Sequence, residues 1–220
     1  MLPETVRIRF AKRGRLKFIS HLDLCRTMQS AMLRAGLPLW YTEGFNPHPR
    51  MTFALPLSVG AESECELLDV KLTEVSDLKE LVLKLNAATA PELEILEAYK
   101  PETKFIDIAS AEYTLRLGLP WSEEYAALFS APVILPKRTK NGDVDTDITP
   151  MINKIAFERD ETPGTAFTLA RSVLSAGADS YLNPEYIVRA LEKYNGAKQY
   201  SFEYYIRRVN IYGKSGNTFR

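Results

Sequence analysis

RLKFISHLDLCRTMQSAMLRAGLPLWYTEGFNPHPRMTFALPLSVG, residues 15–60, decides how this chain is read. It holds both histidines, one of the two cysteines and one of the two tryptophans. Ser20-His21-Leu22-Asp23 fits a capping box, in which Ser20 bonds an orphan amide and Asp23 reaches back to the Ser20 amide. Leu22, Cys25, Met28, Ala31 or Met32, and Ala35 recur at helical spacing and predict the buried stripe. Gly36 is the stop, and Arg26, Gln29, Ser30 and Arg34 take the outward side. Leu37–Tyr41 then alternates as a strand. Gly44, Pro47 and Pro49 forbid regular structure over Thr42–Met51, and Met51–Leu57 is extended.

Upstream, Thr5–Lys12 alternates Val6, Ile8 and Phe10 with Arg7, Arg9 and Lys12, which predicts a strand with one buried and one basic face. Leu16–Ile19 reads as an extended lead-in. Downstream come a strand over Glu64–Leu72, a helix over Asp77–Asn86 capped by Ser76, and a strand over Leu93–Tyr99. The order β-α-β-β-α-β is that of the ferredoxin-like split βαβ fold. The second half repeats it less regularly. Strands are predicted at Glu112–Leu119 and Val133–Pro136, a polar loop at Lys137–Thr149, and extended pieces at Pro150–Phe157 and Ala166–Arg171. A short helix covers Trp121–Phe129, and a second runs from Pro184 to Tyr194 with Asn183 as cap. Tyr200–Ile211 is the last strand. The expected fold class is therefore α+β, two tandem ferredoxin-like (βαββαβ) units, residues 1–105 and 106–220.

The chain has 220 residues, 45% apolar and 25% charged, enough for a packed core. No apolar run approaches the ~20 residues that span a bilayer. The start, MLPETVRIRF, lacks a secretory pattern. With two cysteines and no disulfide framework, a reduced, cytoplasmic chain is expected. Net charge is zero, but residues 1–50 carry nine Lys/Arg against three Asp/Glu and residues 51–110 five against twelve. Residues 186–220 are basic again, seven against two. Two basic ends meeting in the fold would make one positive face; scattered solvated charge is the plainer alternative.

Three clusters hold the candidate chemistry. His21 opens a helix, where amides and dipole favour anions, and it is a candidate base; alternatively it packs over Cys25 one turn on. Glu43-Gly44-Phe45-Asn46-Pro47-His48-Pro49-Arg50 is a stiff loop with an imidazole, an aromatic ring and a guanidinium. Phe45 would stack a base, Arg50 would pair with phosphate, and His48 is the second candidate base. A proline-locked turn is the plain alternative. Lys137, Arg138 and Lys140 precede Asp143, Asp145 and Asp147; this reads as a solvated loop, with phosphate contact by the three cations as the sharper option. No GxxxxGK[ST], GxGxxG, GxSxG or cysteine cluster occurs, so no metal site or cofactor is expected in this chain. Cys25 lies on the apolar stripe and reads as an inert thiol.

The motifs FISHLDL, CRTMQSAMLRAGLPLWYTEGFNPHPRMTFALPLSVG and ESECELLDV, with KRTK…DITPMI later, cover most of the chain. On these it resembles the radical SAM-associated proteins of unknown function, a bacterial family also found as the C-terminal domain of radical SAM proteins with a cobalamin-binding-type domain. The resemblance implies a partnership with a radical SAM enzyme on a separate chain, since CxxxCxxC is absent here. The family's genes lie near RNA-processing and ribosomal genes, which implies an RNA substrate. Its motif residues fall on His21, Asp23, Arg26, Glu43, Asn46, His48 and Arg50.

The expected function is an accessory RNA-binding or substrate-presenting protein for that radical SAM enzyme, in RNA modification or processing, without activity alone. Arg26, Glu43, Phe45, Asn46, His48 and Arg50, with Lys137, Arg138 and Lys140, would hold RNA. One alternative is a metal-independent endoribonuclease with His21 or His48 as base and Arg50 stabilising the phosphorane. Another is an adaptor docking on the radical SAM protein through acidic residues 51–110. Whether the chain is an enzyme is not decided by its sequence.

Overall fold

A computed structural model describes residues 2–75, 77–139, 142–162, 167–196 and 202–220. The protein is α+β and rich in sheet. It divides into two compact units: residues up to Phe105 together with Arg220, and Ile106–Phe219.

In the first unit the order is β1 (Glu4–Lys12), α1 (His21–Arg34), β2 (Met51–Phe53), β3 (Ala61–Leu72), α2 (Leu78–Ala88) and β4 (Leu93–Tyr99). The strands lie side by side as β4-β1-β3-β2, every neighbouring pair antiparallel. Val6, Ile8 and Phe10 of β1 and Leu68, Val70 and Leu72 of β3 face one side and pack under Leu24, Met28, Ala31 and Met32 of α1 and Leu81 and Leu85 of α2. Burying each such large side chain stabilises the fold by about 1.5–3 kcal/mol. Residues between these on the strands point to the other face.

Several local features differ from the sequence reading. Residues Gly14–Phe18 form a 3-10 turn, not an extended lead-in. The stripe of α1 is rotated: Leu24 is buried, while Leu22 is 59% exposed and Cys25 only half-buried. Ser20 caps as expected, its Oγ accepting the Asp23 amide at 3.1 Å, but the Asp23 carboxylate accepts from the Ser20 hydroxyl (2.7 Å) rather than from the amide. Leu37–Tyr41 is not a strand; Leu39 and Tyr41 make single bridges, to Leu72 and Pro49, and Met51–Phe53 takes the second-strand position. Ser76 lies outside the described residues, and Asp77 caps α2 by accepting the Lys79 amide at 2.8 Å. Arg7, on the expected basic face, is nonetheless 1% exposed, because it stands opposite Asp69 of β3 and pairs with it.

In the second unit the order is β5 (Ile108–Leu117), α3 (Glu124–Leu128), β6 (Ile134–Thr139), β7 (Gly142–Asp147), β8 (Ile152–Arg159), β9 (Thr168–Ser175), α4 (Glu185–Tyr194) and β10 (Tyr204–Gly213). The sheet runs β10-β5-β9-β8, again antiparallel throughout. Tyr125 and Phe129 seat α3 on Phe157 of β8. Tyr194 of α4 donates to Glu124 of α3 at 2.6 Å. The expected polar loop at Lys137–Thr149 is instead a hairpin, β6 against β7, with Arg138 opposite Asp143 and Pro136 opposite Asp145. Among the described residues, no helix is long and apolar enough to cross a membrane.

Candidate functional site

Helix α1 stops where the sequence places Gly36. Gly36 has φ +67, which an L side chain adopts at a cost, and the Leu37 amide returns to the Met32 carbonyl at 3.1 Å. The chain then runs beside the end of β3: the Trp40 amide bonds the Lys71 carbonyl, and the Lys71 amide bonds the Arg50 carbonyl (2.9 and 3.0 Å). Between these anchors residues 42–48 form a closed loop. The Thr42 amide donates to the His48 carbonyl (2.9 Å) and the His48 amide to Thr42 Oγ1 (3.1 Å). Gly44, at φ +119, turns the tip.

This closure decides which side chains are available. Glu43, Phe45 and Asn46 project from the tip, and Phe45 is fully exposed. His48 is held at its Nδ1 edge, 3.2 Å from Thr42 Oγ1 and 3.3 Å from the Asn46 carbonyl. His48 and Arg50 line a depression of about 450 Å³, with Thr52 of β2 and Lys71 of β3 beside them. Thr5, Asp69 and Phe105 also border it.

The depression lies on the side of the sheet away from the helices, because Asp69 and Lys71 alternate with the core residues Leu68, Val70 and Leu72. Its base is rigid. Arg7 donates to both Asp69 oxygens (2.7 and 2.8 Å) and to the Thr103 carbonyl (3.0 Å), and its guanidinium lies 4.3 Å from the Phe105 ring centre. Asp69 is thereby neutralised. Most cations of this unit are similarly engaged: Arg9 with Glu97, Arg13 with Glu64 and Glu94, Lys84 with Glu80, Lys100 with Glu4. Arg50 and Lys71 have no carboxylate partner among the described residues. The depression thus presents two uncompensated charges, an imidazole and hydroxyl groups next to a fixed ring.

The remaining sequence candidates fall elsewhere. His21 opens α1 with its Nε2 3.6 Å from Cys25 Sγ and its ring edge-on to Phe53 at 5.4 Å, and it does not border the depression. The two histidines therefore do not converge on that space, since His21 belongs to the helix side of the sheet. Arg26, also on α1, pairs with Asp23 at 3.5 Å, one turn back, and stands apart from Arg50 for the same reason. Burial pushes the Cys25 thiol above its ordinary pKa, which keeps it protonated. In the second unit, Lys137 is committed to structure, donating to the Tyr181 carbonyl at 2.8 Å and lying 3.3 Å from Met151 Sδ. Arg138 is exposed, and Lys140 lies outside the described residues. Among the described residues, no three His, Cys, Asp or Glu side chains are grouped to hold a metal ion.

Sequence reasoning missed Lys71, Thr52, Thr5 and Phe105. The alternation of Glu64–Leu72 signals a strand, but only the position of the helices tells which face stays open.

No curated protein matches the chain. Among solved structures it is similar to an unknown protein from Galdieria sulphuraria, with 13% identity over 94% of this chain and 99% of that one. The TM-score is 0.29, too low to carry any argument about fold or role. Residues 5–184 match a family described as an uncharacterized protein conserved in bacteria (DUF2344), and the chain, matched over most of its length, belongs to that family.

Proposed function

We propose that this protein is an accessory RNA-binding or substrate-presenting component that works with a separate radical SAM enzyme in RNA modification or processing. The observation that carries the RNA half is the depression of the first unit, where Arg50 and Lys71 stand without carboxylate partners among the described residues beside His48. Phosphate contacts supply most nucleic-acid affinity, and unpaired guanidinium and ammonium groups make them without first breaking an ion pair. Phe45, fully exposed at the loop tip, suits stacking on an unpaired base, as sequence-tolerant RNA recognition requires. The radical SAM half rests on the resemblance of SHLDL, RAGLP, GFNPHP and FALPL to that family.

The finer fold reading, two tandem ferredoxin-like units, belongs here as well. It is supported by the strand order within each unit, β4-β1-β3-β2 and β10-β5-β9-β8, if the β6–β7 hairpin is taken as an insertion. Folds of that plan present the sheet face opposite the helices, where the depression lies in the first unit.

The test is fluorescence anisotropy with a structured RNA across a salt series. The expected result is affinity that falls with salt, with a slope reduced by roughly 1 for each phosphate-contacting cation removed in Arg50→Ala and Lys71→Ala. Affinity without salt dependence, or unchanged in the double variant, refutes the reading.

A further inference from the structure

We propose that the depression of the first unit is a subsite for one nucleotide carrying a phosphomonoester, either the phosphorylated end of an RNA or a free mononucleotide. The RNA-end form rests on the RNA-binding function above; the mononucleotide form does not.

Size is the first argument. About 450 Å³ lies at the small end of ligand sites, which run ~300–1,000 Å³, and suits a single nucleotide unit rather than several in a row. Charge is the second. A phosphomonoester carries about −1.5 to −2 at neutral pH with three strong acceptor oxygens, whereas an internal phosphodiester carries one charge. Arg50 and Lys71 supply two cations without carboxylate partners among the described residues, and His48 adds a third nitrogen group beside them. Among the described residues Asp69 is the one carboxylate bordering the depression, and both its oxygens accept from Arg7 (2.7 and 2.8 Å), so it does not oppose an anion at full strength.

Hydroxyls and a ring complete the set. Thr5 and Thr52 border the depression and make no side-chain hydrogen bond among the described residues, which leaves them able to donate to phosphate or ribose oxygens. Phe105 stands at the same space with the Arg7 guanidinium 4.3 Å from its ring centre. A base laid against Phe105 would extend that stack at little entropic cost, because the ring is already fixed. Phosphate on Arg50 and Lys71 with the base on Phe105 would engage both ends of one nucleotide within the same depression. No bond is made or broken in this assignment; the site binds.

The experiment compares one short single-stranded RNA sequence ending in a 5′-phosphate, a 3′-phosphate or neither, with AMP and inorganic phosphate as competitors. Affinity is read by anisotropy, and AMP contacts by NMR shift perturbation. One phosphorylated end is expected to bind at least about tenfold tighter than the hydroxyl-ended RNA. AMP should compete better than inorganic phosphate. Lys71→Gln should erase the preference, weakening the phosphorylated-end RNA clearly more than the hydroxyl-ended RNA, with Arg50→Gln as the second variant should Lys71→Gln lose its thermal transition. Equal affinity for all three ends, with both variants weakening all alike, overturns the subsite and leaves the RNA-binding function standing. Shifts at Lys71 and Phe105 on adding AMP, without binding of any RNA, uphold the subsite and overturn the RNA-binding function. No response to RNA, AMP or phosphate overturns both.

Discussion

The two units order their sheet strands alike but fill the interval between first helix and second strand differently. In the first unit that interval is the loop closed by Thr42 and His48, whose tip side chains face solvent and whose Arg50 reaches an open depression. In the second it is the β6–β7 hairpin, whose Lys137 and Asp147 bond nearby backbone while Arg138 stays exposed. Lys137 bonds the Tyr181 carbonyl, Lys193 of α4 bonds the Ile134 carbonyl at 2.9 Å, and Asp147 accepts the Val133 and Thr149 amides at 3.2 and 3.0 Å. A polar residue that satisfies its own fold is not available to a ligand. The sign and number of charges in a loop say little until their partners are known.

The first strands offer a second contrast. Arg7 of β1 pairs with Asp69 and covers Phe105; Arg116 of β5 pairs with Asp160 at 2.8 Å and lies 4.9 Å from the Phe167 ring centre. Arg7 is 1% exposed at its side chain and Arg116 39%. Breaking a buried pair from one side leaves a stranded charge, so Arg7→Ala is expected to cost about 3–5 kcal/mol in chemical denaturation. Arg116→Ala should cost clearly less, because this guanidinium is itself solvated and Asp160, though only 6% exposed, keeps the Thr162 amide and hydroxyl as donors. Equal losses would remove the distinction between a built floor and a surface pair. Met28→Ala, at a fully buried position of α1, should cost about 2–5 kcal/mol without altering ligand affinity, which separates the helix side of the sheet from the depression.

Smaller effects sharpen the same contrast. Ser20→Ala removes the cap of α1 and should cost about 1 kcal/mol by the same denaturation measurement, again without moving affinity. At the low end is a pH effect confined to the second unit. Hydrogen bonds from Thr149 hold the Asp147 carboxyl below the usual range, and those from Thr162 do the same for Asp160, with Arg116 contributing. A carboxylate depressed in the folded state stabilises above its unfolded pKa of about 3.9 and loses that contribution as pH falls through the folded value. The melting temperature should therefore decline in acid, and Asp147→Asn should flatten that decline; an identical acid slope in the variant would contradict the assignment.

How much of this was legible from residues alone depends on whether the signal is local. Ser20 and Gly36 bracket α1 because capping and the left-handed stop are decided within a few residues, and both are seen. The buried stripe of α1 lies a fraction of a turn from the one its spacing predicts: the sheet selects Leu24, Met28, Ala31 and Met32, and a run with apolar residues at both Leu22 and Leu24 leaves that choice to tertiary packing. Residues 37–41 alternate like a strand, yet a ladder needs successive partners, and the turn through Gly44, Pro47 and Pro49 leaves Leu39 and Tyr41 with one bridge each. The hairpin at 134–147 was hidden because its second strand, GDVDTD, has almost no apolar face. The loop at 43–50 stands out by composition, but Lys71, which joins it, lies twenty-one residues after Arg50 in a strand whose open face the sequence does not declare.

The most direct measurement sets one unit against the other. RNA affinity is determined for Arg50→Ala/Lys71→Ala and for Lys137→Ala/Arg138→Ala, with melting temperature recorded for each. The first pair is expected to lose at least about tenfold in affinity with its transition unchanged, and the second to melt earlier with affinity intact. The reverse pattern, affinity lost through the hairpin and retained without Arg50 and Lys71, would contradict the placement of the binding site in the first unit.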